Sequence, residues 1–295
     1  ALLPAGARVE QFVIAPDSGR VVYRAAQDSA TVTELYVVPI AGGAITKLNG
    51  PLVAGGDVAN FQISPDGSRI VYQADQITDN RGEIFGVLIT GGVPVKLSGP
   101  LVLGGNLFGF DITPDSSRVV YRGDQQVNSL FELYSVPITG GAFTTISNGA
   151  NVVATVGITP DSTRVVYLAT FAISSVVELF SVGVSGGPSV QLNTPLVVGR
   201  VVADARLSPD GSRVVYVADE AIDEAFELFS VPTTGGPRVK LNGALTTGGA
   251  VRSGSVTYSP DGTRVVYIAD QQTDEVFELF SVPVVGGVNT KLNAP

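Results

Sequence analysis

The sequence predicts an all-β fold built from six repeated units. The segment at 208–216, Ser-Pro-Asp-Gly-Ser-Arg-Val-Val-Tyr, recurs five more times as variants along the 295-residue chain. β-Branched and aromatic residues fill the segments between turn residues, and helical periodicity is absent almost everywhere. Near-identical units of about fifty residues indicate a repeat architecture, in which each unit packs on its neighbours.

The Pro-Asp pairs of this motif set the period. Their first residues are Pro16, Pro65, Pro114, Pro160, Pro209 and Pro260. In every unit the Tyr that ends the motif is eleven residues before the next Glu, and a Gly-Gly pair begins eight residues after that Glu. The variation in length therefore lies between the Gly-Gly pair and the next Pro-Asp pair, and this predicts tolerant loops there.

Each unit predicts four strands, which we call A to D. Strand A precedes the motif, as at 60–63, and the Pro-Asp-Gly-Ser turn after it presets φ with Pro and accepts a positive φ at Gly. Strand B is the Arg-Val-Val-Tyr segment, as at 213–216, and strand C is Glu-Leu-Phe-Ser-Val-Pro, as at 227–232. A Gly-Gly turn then leads into the short strand D, as at 239–241.

The apolar pattern of strands B and C predicts how these sheets pack. Val214 and Tyr216 point to one face of the sheet and Val215 to the other, while the adjacent Leu228 and Phe229 also supply both faces. A sheet that is apolar on both faces must be covered twice. An open stack of such sheets needs polar end units, but units one and six look ordinary. We therefore predict a six-bladed β-propeller with four antiparallel strands per blade, closed by blade one packing on blade six.

The repeat divides the chain into six predicted blades within a single domain, 1–295. Their approximate bounds are 1–49, 50–98, 99–148, 149–193, 194–242 and 243–295. Strand D forms the outer edge of each blade, and four of its six copies carry a Lys that we expect to guard this edge against aggregation. These residues are Lys47, Lys96, Lys240 and Lys291.

Composition excludes several classes of function. The formal charge of −9 lacks the basic footprint of a nucleic-acid binder, and no apolar run approaches the ~20 residues of a membrane span. His, Cys, Met and Trp are absent, which excludes a Ser-His-Asp triad, a Cys nucleophile, a disulfide and an imidazole or thiolate metal site. The chain begins without Met, from which we expect a processed or excised segment.

The repeat resembles that of the TolB-type β-propeller family. The resemblance rests on the 208–216 motif, on Glu-Leu-Phe at 227–229, on Gly-Gly at 235–236 and on Lys-Leu at 240–241, and it covers all six units. It implies six four-stranded blades around a channel, and a bacterial periplasmic, secreted or surface protein. Propellers host many activities, so the resemblance alone assigns no function.

The variable B–C and D–A connections lie on one face of such a disc, and we expect any ligand site there or in the channel mouth below. The candidate residues break the six-fold symmetry near strand A or in a D–A connector. They are Asn60, Gln62, Asp111, Arg200, Asp204 and Arg206. Convergence of Asp111, Asp204 and Arg206 would bind a polar small molecule or support acid–base hydrolysis. The alternative is a water-filled channel lined by local ion pairs.

Three sets of acidic residues repeat along the chain. We expect the Asp of each Pro-Asp pair to cap its turn and to contact the Arg three residues later, and the Glu that begins strand C to bond exposed backbone at a blade edge. The B–C loops contribute a third set, in which paired Asp residues suggest either weak Ca²⁺ binding or a solvated, solubilising loop. These pairs are Asp75 and Asp79, Asp219 and Asp223, and Asp270 and Asp274.

The sequence favours a non-catalytic binding or scaffold module of a bacterial periplasmic, secreted or surface protein. We expect a monomer that binds a protein or a small polar ligand on the B–C/D–A loop face, with no nucleic acid, no membrane insertion and no cofactor beyond weakly bound Ca²⁺. One alternative is a carboxylate-based polysaccharide hydrolase or lyase. A second is an engineered or amplified-repeat propeller without a natural ligand.

Overall fold

The computed structural model describes residues 5–171 and 176–293, and in these ranges the chain forms strands and turns but no helix. The strands form six sheets of four antiparallel strands each, which confirms the predicted six-bladed β-propeller fold class. Within the described ranges there is accordingly no helix of the length and hydropathy needed to cross a membrane.

The first compact unit is Ala1–Thr145 and contains blades 1 to 3. In every blade the strands lie side by side in chain order, from strand A to strand D. The strands of this unit are β1 (Arg8–Ile14), β2 (Arg20–Ser29), β3 (Val32–Pro39), β4 (Thr46–Lys47), β5 (Val58–Ile63), β6 (Arg69–Ala74), β7 (Glu83–Leu88), β8 (Val95–Lys96), β9 (Leu107–Ile112), β10 (Arg118–Gly123), β11 (Glu132–Pro137) and β12 (Thr144–Thr145).

The second compact unit is Ile146–Pro295 and contains blades 4 to 6. Its strands are β13 (Asn151–Ile158), β14 (Arg164–Thr170), β15 (Glu178–Gly183), β16 (Val190–Gln191), β17 (Val202–Leu207), β18 (Arg213–Ala218), β19 (Glu227–Pro232), β20 (Val239–Lys240), β21 (Thr257–Tyr258), β22 (Arg264–Ala269), β23 (Glu278–Pro283) and β24 (Thr290–Lys291).

Both faces of the inner strands are buried, as the apolar pattern predicts. In β18, Val214, Val215 and Tyr216 alternate between faces, yet each is at most 1% exposed. In β19, Leu228 and Phe229 are also buried on opposite faces. Side chains that alternate along a strand are all buried only when the sheet has a neighbour on each side.

Neighbouring blades pack an aliphatic face against an aromatic face. Val22 and Leu35 of blade 1 join one buried cluster with Phe61, Tyr72 and Phe85 of blade 2. The same pattern recurs between blades 2 and 3 and, in the second unit, between blades 4 and 5 and between blades 5 and 6. Each large side chain buried in this way contributes about 1.5–3 kcal/mol to folding.

Every blade contains one stacked pair of aromatic rings between strands B and C. The ring centroids are 5.2–5.7 Å apart and the rings are 21–27° from parallel. The pairs are Tyr23–Tyr36, Tyr72–Phe85, Tyr121–Tyr134, Tyr167–Phe180, Tyr216–Phe229 and Tyr267–Phe280. Offset stacking adds to the area that these rings bury.

The hydroxyl of the strand B Tyr ties the B–C loop to the D–A connector. Tyr267 donates to Gln271 Oε1 at 2.8 Å, and the same oxygen accepts the N–H of Gly243 at 3.0 Å. Burial raises the pKa of Tyr267 to about 12, which keeps the hydroxyl a donor. Blades 2 and 3 repeat this arrangement with Tyr72, Gln76 and Gly50, and with Tyr121, Gln125 and Gly99.

The Asp of each Pro-Asp pair caps its turn. Asp210 Oδ1 accepts the Ser208 hydroxyl at 2.6 Å and the Ser212 N–H at 3.0 Å, and the Ser208 bond is the main reason that the pKa of Asp210 is lowered. The expected ion pair to the following Arg occurs in blade 1, where Arg20 Nη1 is 2.6 Å from Asp17 Oδ2.

In blades 3 to 6 the Nε of this Arg donates instead to the hydroxyl of a Ser on the neighbouring strand C, at 2.7 Å. These pairs are Arg118–Ser135, Arg164–Ser181, Arg213–Ser230 and Arg264–Ser281.

The Glu that begins strand C pairs mainly with the Lys of strand D. In blade 1, Lys47 Nζ is 2.7 Å from Glu34. The same pair forms in blades 2, 5 and 6, between Lys96 and Glu83, Lys240 and Glu227, and Lys291 and Glu278. Glu178 of blade 4 bonds to the backbone, as the sequence predicts for this Glu, because its Oε1 accepts the N–H of Leu196 at 2.9 Å. The edge Lys therefore carries a counter-ion while staying partly exposed.

Candidate functional site

The strand order places the B–C loop and the D–A connectors at the same end of each blade. At this end of the second unit, a groove of about 690 Å³ separates the blade 5 B–C loop from the connector that enters blade 6. Residues 222–225 form one wall, residues 244–249 form the other, and Glu227 and Lys240 also line it. We call this cavity the blade-5 groove.

The walls of the blade-5 groove combine apolar and acidic side chains. Ile222 is 67% exposed, and Leu245 is half-buried on the opposite wall. Asp223 and Glu224 are exposed at the rim, and neither carboxylate forms an ion pair with a described residue. Because Lys240 is already paired with Glu227, the field at the rim is negative.

The connector wall is a tight turn that presents a backbone carbonyl. Gly249 donates its N–H to the Thr246 carbonyl at 3.0 Å, and Gly248 between them has a φ of +87°. A carbonyl oxygen has two lone pairs, so the Thr246 oxygen can accept one further hydrogen bond. The turn thus supplies a fixed acceptor in a groove whose rim is acidic.

The first Asp of the B–C loop holds loop and connector together. Asp219 Oδ1 accepts the N–H of Val201 in the connector at 2.7 Å, and Oδ2 accepts the N–H of Glu224 at 3.3 Å. Blades 2, 3 and 6 repeat both bonds. Asp75 accepts the N–H groups of Asp57 and Asn80, Asp124 accepts those of Asn106 and Ser129, and Asp270 accepts those of Ala250 and Glu275. We call this arrangement the aspartate clamp. This structural role differs from both interpretations of the sequence, which were weak Ca²⁺ binding and a solvated, solubilising loop.

The aspartate clamp uses the same Asp carboxylates from which the sequence predicts weak Ca²⁺ binding. Calcium takes six to eight oxygen ligands, and both carboxylate oxygens of each clamp Asp already accept backbone N–H groups. Among the described residues no group of three or more Asp or Glu side chains is placed to hold a metal ion. The carboxylates of the described loops are therefore not gathered into one cluster of ligands, and the weak Ca²⁺ binding expected from the sequence stays a prediction.

Three candidate residues, Asn60, Gln62 and Asp111, lie in the first unit, and Gln62 forms hydrogen bonds from blade 2 to blade 3. Asn60 Nδ2 donates to Gln73 Oε1 at 3.1 Å within blade 2, and Gln62 Nε2 donates to the Phe110 carbonyl of blade 3 at 2.8 Å. Asp111 has an exposed surface, but the protein atoms around it exclude enough water to raise its pKa, which a Gln62 hydrogen bond partly offsets. Gln62 and Asp111 are thus brought together.

The other three candidates lie in the second unit. Arg200 Nη1 donates to the Glu220 carbonyl at 2.5 Å, which fixes the connector to the blade 5 loop. Asp204 and Arg206 form an ion pair at 3.4 Å, and Asp204 Oδ2 also accepts the N–H of Gly254 at 3.2 Å. The structure therefore groups Asp204 with Arg206 and keeps Arg200 in a separate contact. Their convergence with a residue of the first unit stays a prediction.

The sequence does not predict the blade-5 groove, because the residues of its walls are typical of solvent-exposed loops. The sequence signal that bears on it comes from comparing the residues of two B–C loops that lie at the same distance after the strand B Tyr. Blade 2 has Asn80 and Arg81 where blade 5 has Glu224 and Ala225. Relative to blade 2 the two positions lose a cation and gain a carboxylate, and blade 6 shares this change through Glu275 and Val276.

Comparison with known proteins identifies structural relatives only. No family model matches the chain, and no curated protein matches it. An oligogalacturonate lyase in complex with manganese has a TM-score of 0.54 and 16% identity, over 95% of this chain and 75% of that chain.

A prolyl endopeptidase has a TM-score of 0.57 and 13% identity over 99% of this chain, which spans 44% of that protein's length. A putative TolB from Agrobacterium tumefaciens matches with a TM-score of 0.42 and 20% identity, over 79% of this chain and 80% of that chain. At such identities the likenesses to the lyase and the endopeptidase show the β-propeller fold alone.

Proposed function

We propose that the chain is a non-catalytic binding or scaffold module that takes a protein or a small polar ligand on its B–C/D–A loop face. The observation that carries this proposal is the blade-5 groove, a cavity of about 690 Å³ that combines the apolar side chains of Ile222 and Leu245 with the acidic side chains of Asp223 and Glu224. Binding sites are typically concave, mostly apolar and supplied with a few polar groups. This groove lies between loops that a rigid β-sheet scaffold holds in place.

The contacts of the clamp Asp residues and of Asp204 support a binding role over catalysis. The clamp Asp residues each accept two backbone N–H groups, and Asp204 is engaged by Arg206 and Gly254. A general acid or base has to exchange protons with a substrate, whereas these carboxylates are used as hydrogen-bond acceptors within the fold. The contacts of the clamp Asp residues and of Asp204 are those of structural residues, whereas Asp223 and Glu224 at the groove rim are left for a ligand.

A carboxylate-based polysaccharide hydrolase or lyase is the second candidate. Two observations favour it: the fold is shared with an oligogalacturonate lyase, and the pKa of Asp111 is raised by loss of solvent, as a general acid requires. Incubation with oligogalacturonate, with and without Mn²⁺, tests it through the ultraviolet absorbance of unsaturated products. Turnover that is lost in Asp111→Asn would replace the binding proposal.

The TolB-type resemblance adds an expectation about location. It favours a bacterial periplasmic, secreted or surface protein. Fractionation of the native bacterium, followed by detection of the full-length protein with an antibody, would test this, and recovery in the cytoplasmic fraction would contradict it.

A thermal-shift screen against peptides and oligosaccharides tests the binding proposal. A ligand present at a hundredfold its dissociation constant stabilises the folded protein by about 2.7 kcal/mol. We expect Ile222→Asp to abolish the shift. Val288→Asp is the matched control, because Val288 lies in the C–D turn at the other end of blade 6 and is 83% exposed. Equal loss of the shift in both variants, or no shift with any ligand, would contradict a loop-face site.

A further inference from the structure

The position that Ala225 occupies beside the blade-5 groove is filled in blade 2 by an arginine of the chain itself. Arg81, at the end of the blade 2 B–C loop, donates through Nη2 to the Val102 carbonyl of the connector that enters blade 3. Val102 is also the residue whose carbonyl accepts the connector Gly105 N–H, at 2.9 Å. Blade 2 therefore shows where a guanidinium lies when it bridges a B–C loop and the next connector.

Blade 5 has the same acceptor without the arginine. Thr246 corresponds to Val102, because its carbonyl accepts the N–H of Gly249, three residues later, at 3.0 Å. Ala225 stands where blade 2 has Arg81, so nothing from the loop reaches this carbonyl across the groove. The acceptor, the tight turn and the space are present, and the donor is missing.

The charge of blade 5 changes in the direction that favours an external cation. Glu224 replaces Asn80, and together with Asp223 it places two carboxylates without ion pairs at the groove rim. In blade 2 the corresponding loop carries its own guanidinium. The blade-5 groove thus combines an empty guanidinium position with an excess of negative charge.

We propose that the blade-5 groove binds an arginine side chain presented by a partner peptide or protein. This inference rests on the proposed loop-face binding function and specifies its partner. The planar guanidinium has five donors in a fixed fork, which lets it reach the Thr246 carbonyl and a rim carboxylate together. Its aliphatic stem packs against Ile222 and Leu245, as long cationic side chains do on apolar surfaces.

The test uses the pentapeptide Gly-Leu-Arg-Leu-Gly, acetylated and amidated, with versions carrying Lys or Gln in place of Arg. Titration followed by the amide NMR spectrum of the full chain gives both the location of binding and the dissociation constant. We expect the arginine peptide to shift the signals of residues 222–227 and 244–249. The lysine peptide should bind several-fold more weakly, and the glutamine peptide should shift neither segment.

Two variants with opposite expected effects make the test specific. Ala225→Arg supplies the missing guanidinium from within and should weaken peptide binding at least tenfold, as expected for a charged hydrogen bond. Ala221→Arg adds the same charge to the same loop outside the groove, and should weaken binding less than about threefold because exposed charges are screened. Arg81→Ala should open a second site, seen as new shifts in residues 77–82 and 100–104.

The outcomes separate this inference from the proposed function. Equal shifts with the arginine and glutamine peptides would leave loop-face binding intact and overturn arginine recognition. Unchanged affinity in Ala225→Arg, or no second site in Arg81→Ala, would also overturn it. Absence of shifts with all three peptides would overturn the arginine site, while the wider ligand screen would still decide the loop-face function.

Discussion

At the scale of single residues, carboxylates in this chain act mainly as acceptors for nearby N–H and O–H groups. The turn Asp210 accepts Ser208 and Ser212, and the loop Asp219 accepts Val201 and Glu224. The turn role could be predicted, because every partner lies within two residues of the Asp. The clamp could not, since its connector partner is 18 residues away in sequence and meets it only in the folded blade.

The turn Asp residues make the stability of the fold dependent on pH. The pKa of Asp210 is lowered in the folded state, first by the Ser208 hydroxyl, so its ionised form stabilises folding above the ordinary Asp pKa. This contribution is lost as the pH falls below about 4 towards the folded pKa. We expect Asp210→Asn to lower the urea midpoint at neutral pH and to flatten its decline between about pH 5 and pH 3. A decline as steep as that of the wild type would contradict this role.

At the scale of elements, strands B and C are the best predicted parts of the fold. The predicted strand C at 227–232 coincides with β19 (Glu227–Pro232), because turn residues and alternating apolar residues mark both of its ends. Strand A of blade 6 is the exception, since β21 contains only Thr257 and Tyr258. Its connector turns again at Gly254, with a φ of +79°, before the strand begins. Local β-propensity does not reveal this extra turn.

The A–B turns of neighbouring blades approach each other at an identifiable glycine. A Cβ added to Gly211 would lie 2.5 Å from Pro160 Cδ in the preceding turn, whereas one added to Gly262 would lie 3.5 Å from Pro209 Cδ. The two glycines have φ values of +73° and +70°, so the backbone strain of a substitution is the same at both.

The two alanine variants therefore isolate the steric contact between turns. We expect Gly211→Ala to reduce the free energy of unfolding by about 1–3 kcal/mol more than Gly262→Ala, the usual cost of overpacking. Urea unfolding of both variants measures the difference. Equal free energies of unfolding would show that the turns do not pack as described.

At the scale of the whole molecule, the features that all blades share build the fold, and the features of single blades are candidates for function. The fold class follows from the six-fold repeat, which is why it could be predicted. The predicted site was less complete: Asp204 and Arg206 meet, but the blade-5 groove was missed. It lies between the blade 5 B–C loop and a connector that follows strands C and D in the sequence, and the two meet only in the folded blade.

The chain is expected to be a monomer. Its net charge of −9 opposes association, and the Lys–Glu pairs on the outer strands leave little of a flat apolar edge. Sedimentation equilibrium should give the chain mass of 30.4 kDa at all concentrations. A concentration-dependent dimer that is lost in Phe12→Ser would contradict this and point to strand β1, where Phe12 is 66% exposed.

The division between shared and blade-specific residues is tested most directly by thermal denaturation of two variants with and without the arginine peptide. Asp124→Asn breaks a clamp in the first unit, and Asp223→Asn alters only the groove rim. We predict that Asp124→Asn lowers the Tm by several degrees and retains the full peptide-induced rise, because each charged hydrogen bond contributes about 1.5–3 kcal/mol. Asp223→Asn should keep the Tm and lose most of the rise. The reverse pattern, or the same response in both variants, would contradict the account.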